Sequence, residues 1–169
     1  MTDKKIAGMH VCEDGTIGLV WLSYDSEVDY ITVYDTAVFK REVPIVIAES
    51  INARGRYIPI AWTNKEMADH LLNRGCRMLY EPVDDSDAMA EVQTREIWER
   101  MRTKRIAVKK RLKDWFDESK SFDRDKNKIP RDSHPLMAAT RYAVAEIKSA
   151  RRLTPKHKQA KQKRSIAII

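Results

Sequence analysis

Asp132, Ser133, His134 and Pro135 open the longest amphipathic stretch of the chain. An acid and an imidazole at a helix N-terminus sit where exposed N–H groups and the positive end of the helix dipole favour metal or phosphate chemistry. Two groups of cations suit phosphate contacts. Lys104, Arg105, Lys109, Lys110, Arg111 and Lys113 surround one short apolar run, and Lys148, Arg151, Arg152, Lys156, Lys158, Lys161, Lys163 and Arg164 continue to the C-terminus without an acid. Such runs bind polyanions, with an affinity that falls steeply with salt; they also serve as solubilising surface. Cys12 and Cys76 stand apart, with no CxxC pair and no zinc-finger spacing, and read as buried thiols of a reducing compartment.

The elements that must hold these residues follow from periodicity. Leu136, Ala139, Thr140, Ala143, Ile147 and Ala150 recur at helical spacing, which predicts one long helix from Asp132 to Arg152, capped by Ser133, with Pro135 in its first turn and Arg141 off its apolar face. Lys5 to Val11, Ile17 to Leu22 and Tyr30 to Tyr34 read as an antiparallel meander. Pro44 to Ala53 reads as a helix burying Ile45, Ala48 and Ile51, and Tyr57 to Trp62 as a strand whose Pro59 suits an edge. A helix opened by Asn64 and burying Met67, Leu71 and Leu72 comes next, then a strand at Cys76 to Tyr80. Ala88 to Arg102 is a helix expected to bury Met89, Val92, Ile97, Trp98 and Met101; Arg105 to Val108 is a strand, and Leu112, Trp115, Phe116 and Ser119 mark a further helix face. Ser121 to Arg131 reads as a charged loop.

Strands that begin antiparallel and then alternate with helices indicate an α/β domain with a mixed sheet, in the order of a ribonuclease-H-like fold. At 169 residues one domain is expected, over 1–153, followed by a basic arm over 154–169 whose apolar end, SIAII, would dock on a partner or on the domain. The net charge of +7 favours a polyanionic partner. No apolar run approaches the roughly twenty residues of a membrane span, and the N-terminus has no signal-peptide core, so an intracellular protein is expected.

Particular stretches carry more. GMH and TIGLVWL lie between Gly8 and Leu22, VDYITVYD spans Val28 to Asp35, REVPIV spans Arg41 to Val46, and GRYIPIAW spans Gly55 to Trp62. ERMRTKRIAV follows at Glu99 to Val108, LKDWFDE at Leu112 to Glu118, and ATRYA at Ala139 to Ala143. In this order they resemble the C-terminal nuclease domain of viral large terminase subunits. The resemblance implies a part in packaging viral DNA in the cytoplasm of a bacterial host, encoded by a phage or prophage. It also implies double-stranded DNA as partner, possible contacts with a terminase ATPase or small subunit and with the portal, and endonuclease cutting with two Mg²⁺ or Mn²⁺ ions. Two such ions about 4 Å apart require several carboxylate ligands.

The chain departs from that pattern at the ligands. His10 stands where the family has its strand-one Asp, Thr63-Asn64-Lys65 where a second acid is expected, and His134 and Ala138 at the two acidic positions of the last helix. His10 and His134 are donors for Zn²⁺ or Mn²⁺ rather than Mg²⁺, and Lys65 would repel a nearby cation. The expectation is a degenerate metal site on a scaffold that binds DNA or packaging proteins, through Lys104, Arg105, Lys109, Lys110, Arg111, Lys113, Arg151 and Arg152. The alternatives are an active endonuclease with shifted ligands, drawn from Glu13, Asp14, Glu91 and Asp132, or an inactive prophage remnant. Mg²⁺ or Mn²⁺ would be needed only by the active form. Each acid also has a plain structural role: a turn at Glu13-Asp14-Gly15, a surface or helix-paired Glu91, a dipole-stabilised Asp132. His10 has one too, packed and hydrogen-bonded, and His70 reads as surface. No GxxxxGK[ST] phosphate loop occurs, so the chain is not the packaging ATPase by itself but a separately encoded domain or a fragment.

Overall fold

The computed structural model describes residues 3–122, 129–130 and 132–153. The expected C-terminal arm and its SIAII end lie outside these residues, as does most of the charged loop before Asp132. Strands β1 (Asp3–Val11), β2 (Thr16–Asp25) and β3 (Tyr30–Lys40) form the antiparallel meander. Helix α1 (Pro44–Ala53), strand β4 (Ile60–Ala61), helices α2 (Lys65–Leu72) and α3 (Asp87–Arg102), strand β5 (Ile106–Val108), and helices α4 (Lys113–Ser121) and α5 (Pro135–Ala145) follow, with a 3₁₀ turn at Ile147–Ser149. The sheet order is β4-β1-β2-β3-β5, with β4 parallel to β1 and β5 parallel to β3.

Alternation along the strands divides the core into two layers. Ile6, Val20, Leu22, Ile31 and Val33 face α3, α4 and α5, while Ala7, Met9, Ile17, Leu19 and Trp21 face α1 and α2. Gly8 and Gly18 lie on the first of these faces, directly under α5. A β-carbon on Gly8 would come 1.9 Å from the Ala139 carbonyl oxygen, and one on Gly18 would come 2.7 Å from Pro135. The two missing side chains are what lets α5 lie flat on β1 and β2, and so what sets its first turn beside the end of β1.

Several elements differ from the sequence expectation. The long helix stops at Ala145 because Arg151 must pair with Lys5 in an antiparallel bridge, which pulls Ile147 and Ala150 down onto the core in a 3₁₀ turn. Ser133 does not cap it; its hydroxyl bonds to His134, and Glu118 of α4 accepts the Leu136 and Met137 N–H groups instead. Cys76 to Tyr80 makes a single bridge from Met78 to Ile60, not a strand, and β4 is only Ile60–Ala61. Ile45 and Leu72 are exposed, with Ile47 and Ala68 buried in their helices instead.

Helix α3 turns the largest surprise inward. Its buried face is Ala90, Gln93, Thr94, Ile97 and Arg100, while Val92, Trp98 and Met101 are exposed. Two polar members of that face have partners: Arg100 bonds Asp29 at 2.9 Å, and Gln93 bonds Arg141 at 2.8 Å, while the Thr94 hydroxyl is buried without one among the described residues. Asp29 holds a left-handed conformation at the β2–β3 turn and also accepts from Arg105. The buried charges, not the apolar stripe, fix the rotation of the helix.

Candidate functional site

His10 and Cys12 are two residues apart on one strand and its immediate continuation, so both side chains leave the sheet on the α5 side. The turn beyond is closed by Gly15 N–H to the Cys12 carbonyl, and Asp14 accepts the Thr16 N–H at 2.8 Å. Asp132, just before α5, completes the group. Its Oδ1 lies 3.2 Å from His10 Nε2, and its carbonyl oxygen accepts from the Cys12 thiol at 3.1 Å. The imidazole, the thiol and the carboxylate place their ligand atoms within 4.8 Å of one another, the kind of grouping that holds a metal ion.

A polar chain lies behind His10. Its Nδ1 is 2.9 Å from the Tyr142 hydroxyl, and that hydroxyl donates to Asp85 at 2.7 Å. Asp85 also accepts from Arg141 at 2.9 Å, and Arg141 is buried with Gln93 as its second partner. Thr63 reaches the same Tyr142 hydroxyl. Burial holds His10 below the ordinary histidine range, against the pull of Asp132. Burial and the neighbouring Asp132, Asp14 and Glu118 push the Cys12 thiol up to about 11.

The other expected ligands are placed elsewhere. His134 is buried with Ser121 Oγ 3.1 Å from its Nε2 and Ser133 Oγ 2.7 Å from its Nδ1, and it packs edge-on against Phe122, so both ring nitrogens are engaged. Ala138 packs with Ala61, Val83 and Tyr142. Glu13 and Asp14 are exposed in the turn, Glu91 lies on α3 outside the group, His70 is exposed on α2, and exposed Lys65 pairs with Asp69. Among the described residues only Asp132 brings a carboxylate to the His10–Cys12 cluster. Asp85, behind His10, is committed to Arg141 and Tyr142.

Sequence reading did not find Cys12, Asp85, Arg141 or Tyr142 as site residues. The ATRYA stretch was the available signal for the last two, but nothing in one sequence ties it to position 85. The basic residues gather along the β5 edge. Lys109 donates its N–H to the Val33 carbonyl, and Arg111 bonds the Tyr34 carbonyl at 2.6 Å. Lys109, Lys110 and Lys113 are exposed, Arg105 is tied to Asp29, and Arg151 lies beside Lys5 at the far end of β1, with exposed Arg152 after it.

No family model and no curated protein matches this sequence. Solved structures do. The P22 large terminase nuclease domain aligns with a TM-score of 0.80 and 17% identity, over 89% of this chain and 84% of that one. The chain has the large-terminase nuclease fold. The terminase nuclease domain of bacteriophage SPP1, with bound Mn, aligns at 0.59 and 15% identity over 86% of this chain and 87% of that one. The large terminase of a thermophilic bacteriophage, in complex with ADP, aligns at 0.70 and 11% identity, with 88% of this chain covering 40% of that one.

On this terminase nuclease scaffold, the described residues of the His10–Cys12–Asp132 cluster do not fit a pair of hard divalent ions. One carboxylate, one imidazole and one thiol cannot offset the repulsion of two adjacent dications, and Mg²⁺ takes oxygen donors.

Proposed function

We propose that the chain is a DNA-binding component of a viral packaging machine, acting inside the bacterial host, whose terminase-type site no longer sustains two-metal cleavage. The observation that carries this reading is the donor set: among the described residues His10 and Cys12 stand with a single carboxylate, Asp132, where two-metal chemistry needs several. The DNA contact is assigned to the β5 edge and the start of α4. Val33, beside Lys109, is five residues along β3 from Val38, which lies across β2 from His10. At about 3.3 Å per residue along the strands and about 4.8 Å between neighbouring strands, the basic edge is roughly 22 Å across the sheet from the cluster, within the span of one bound duplex. Arg151 and Arg152 extend the charge at the far end of the sheet. A terminase ATPase, a small subunit or a portal would be the protein partners of such a domain.

The test is fluorescence anisotropy of a duplex oligonucleotide across a salt series, beside plasmid cleavage in Mg²⁺ and in Mn²⁺. Binding should weaken with salt at a log–log slope of about −0.9 per phosphate contacted. Reversing Lys109, Lys110 and Lys113 to Glu should lower the affinity at least about tenfold and flatten that slope. No plasmid nicking is expected. Metal-dependent nicking abolished by Asp132→Ala would establish the shifted-ligand endonuclease instead, and a chain that neither binds nor cuts would be the remnant.

A further inference from the structure

The hydrogen positions around His10 are fixed from the Asp85 end. The Asp85 carboxylate, held by Arg141, only accepts, so the single proton of the Tyr142 hydroxyl goes to it across 2.7 Å. The Tyr142 oxygen therefore accepts at its other side, and His10 Nδ1 at 2.9 Å carries the hydrogen. This assignment leaves the Nε2 lone pair aimed at Asp132 Oδ1, 3.2 Å away, with the Cys12 sulfur inside the same 4.8 Å group. Two lone-pair donors at that separation repel each other unless a proton or a cation lies between them.

We propose that His10 Nε2, Cys12 Sγ and the Asp132 carboxylate form a site for one zinc-type divalent cation. Tetrahedral zinc with nitrogen, oxygen and sulfur at about 2.0–2.3 Å holds its ligand atoms about 3.3–3.7 Å apart, a spacing that small side-chain rotations reach here. The thiol and imidazole select a borderline-soft ion against Mg²⁺. His10 and Cys12 are held by the strand and are 5% and 6% exposed, while Asp132 forms the solvent side. The Asp85–Tyr142 pair stands behind His10 as a carboxylate commonly stands behind a metal-ligating histidine, fixing its tautomer and ring orientation. The terminase-fold position is thus re-equipped for a different ion, not merely emptied of acids. The site stands or falls independently of DNA binding.

The experiment is a cobalt titration of the full chain after treatment with a chelator. One Co²⁺ per chain should bind, with the visible bands of tetrahedral cobalt and a sulfur-to-cobalt charge-transfer band. One equivalent of Zn²⁺ should displace it, and millimolar Mg²⁺ should not. Cys12→Ser should remove the charge-transfer band and Cys76→Ser should leave it. Tyr142→Phe keeps all three ligands and should weaken Zn²⁺ binding about 10- to 100-fold, with circular dichroism confirming the fold. A wild-type chain that takes up no cobalt, or a charge-transfer band that survives in Cys12→Ser, would overturn the site. Neither readout uses DNA, so failure of the packaging role is seen separately in the anisotropy series.

Discussion

Replacing Gly8 by alanine adds one methyl group in the middle of β1, and by conformational preference alone it should stabilise the strand by about 0.5–1 kcal/mol. The structure requires the opposite. The new β-carbon would sit 1.9 Å from the Ala139 carbonyl oxygen and 3.1 Å from the Ala143 nitrogen, both backbone atoms of α5. Relief to an ordinary 3.4 Å contact means lifting the helix by about 1.5 Å, since no flexible side chain can yield. Leu136, Ala138, Ala139, Tyr142 and Ala143 are all fully buried on that helix, so the shift opens packing along its whole length. Overpacking of a core costs about 1–3 kcal/mol, and rigid backbone on both sides places this case at about 3 or more. With a urea slope of about 2 kcal/mol per molar, the unfolding midpoint should fall by about 1.5 M. Gly15→Ala is the control: its φ of +88° makes alanine strained, but nothing lies within 4 Å of the added carbon, so about 1–2 kcal/mol is expected. If Gly8→Ala unfolds within 0.3 M of the wild type, the account of how α5 is seated is wrong, a threshold of about 0.6 kcal/mol at that slope.

Asp85→Ala strips the buried Arg141 of its carboxylate and should cost about 3–5 kcal/mol in equilibrium unfolding, whereas an exposed pair such as Lys65–Asp69 should lose under about 1 kcal/mol when broken. Glu118 accepts the first N–H groups of α5 from a half-buried position, and burial, outweighing those hydrogen bonds, raises it from 4.5 to about 7. The folded chain therefore holds a proton between about pH 4.5 and pH 7 that the unfolded chain releases, so this residue makes stability fall as pH rises through that window and adds no slope above it. Glu118→Gln should reduce the difference between urea midpoints at pH 5 and pH 7.5; an unchanged difference would rule the effect out. Glu118→Ala removes the cap and should cost about 1 kcal/mol at pH 5, read from the same curves. Trp115→Phe loses the bond from the indole N–H to the Thr140 hydroxyl, 3.0 Å long and buried, and should lower stability by about 1 kcal/mol, also measured by urea unfolding.

The strands, most helices and the ribonuclease-H-like order are legible in the sequence because they depend on local patterns. Continuous apolar strands, Asn64 capping α2 and Pro44 opening α1 are short-range physics. The reading fails where burial is polar. Apolar periodicity assigns charges to water, so it puts the Arg100 and Gln93 face of α3 on the surface and Trp98 and Met101 in the core, the reverse of what the fold does. Only tertiary structure supplies the Asp29 and Arg141 that make those burials tolerable.

The spacing that puts His10 and Cys12 on one side of a strand was determined by sequence alone. That His134 faces Ser121 and Phe122 while Asp132 turns back to His10 was decided only in three dimensions. So was the Asp85–Tyr142 chain behind the imidazole. The physical reason is distance along the chain: residues 10, 85, 132 and 142 meet only after α5 settles onto Gly8 and Gly18, and no local preference encodes which of their atoms then point at one another.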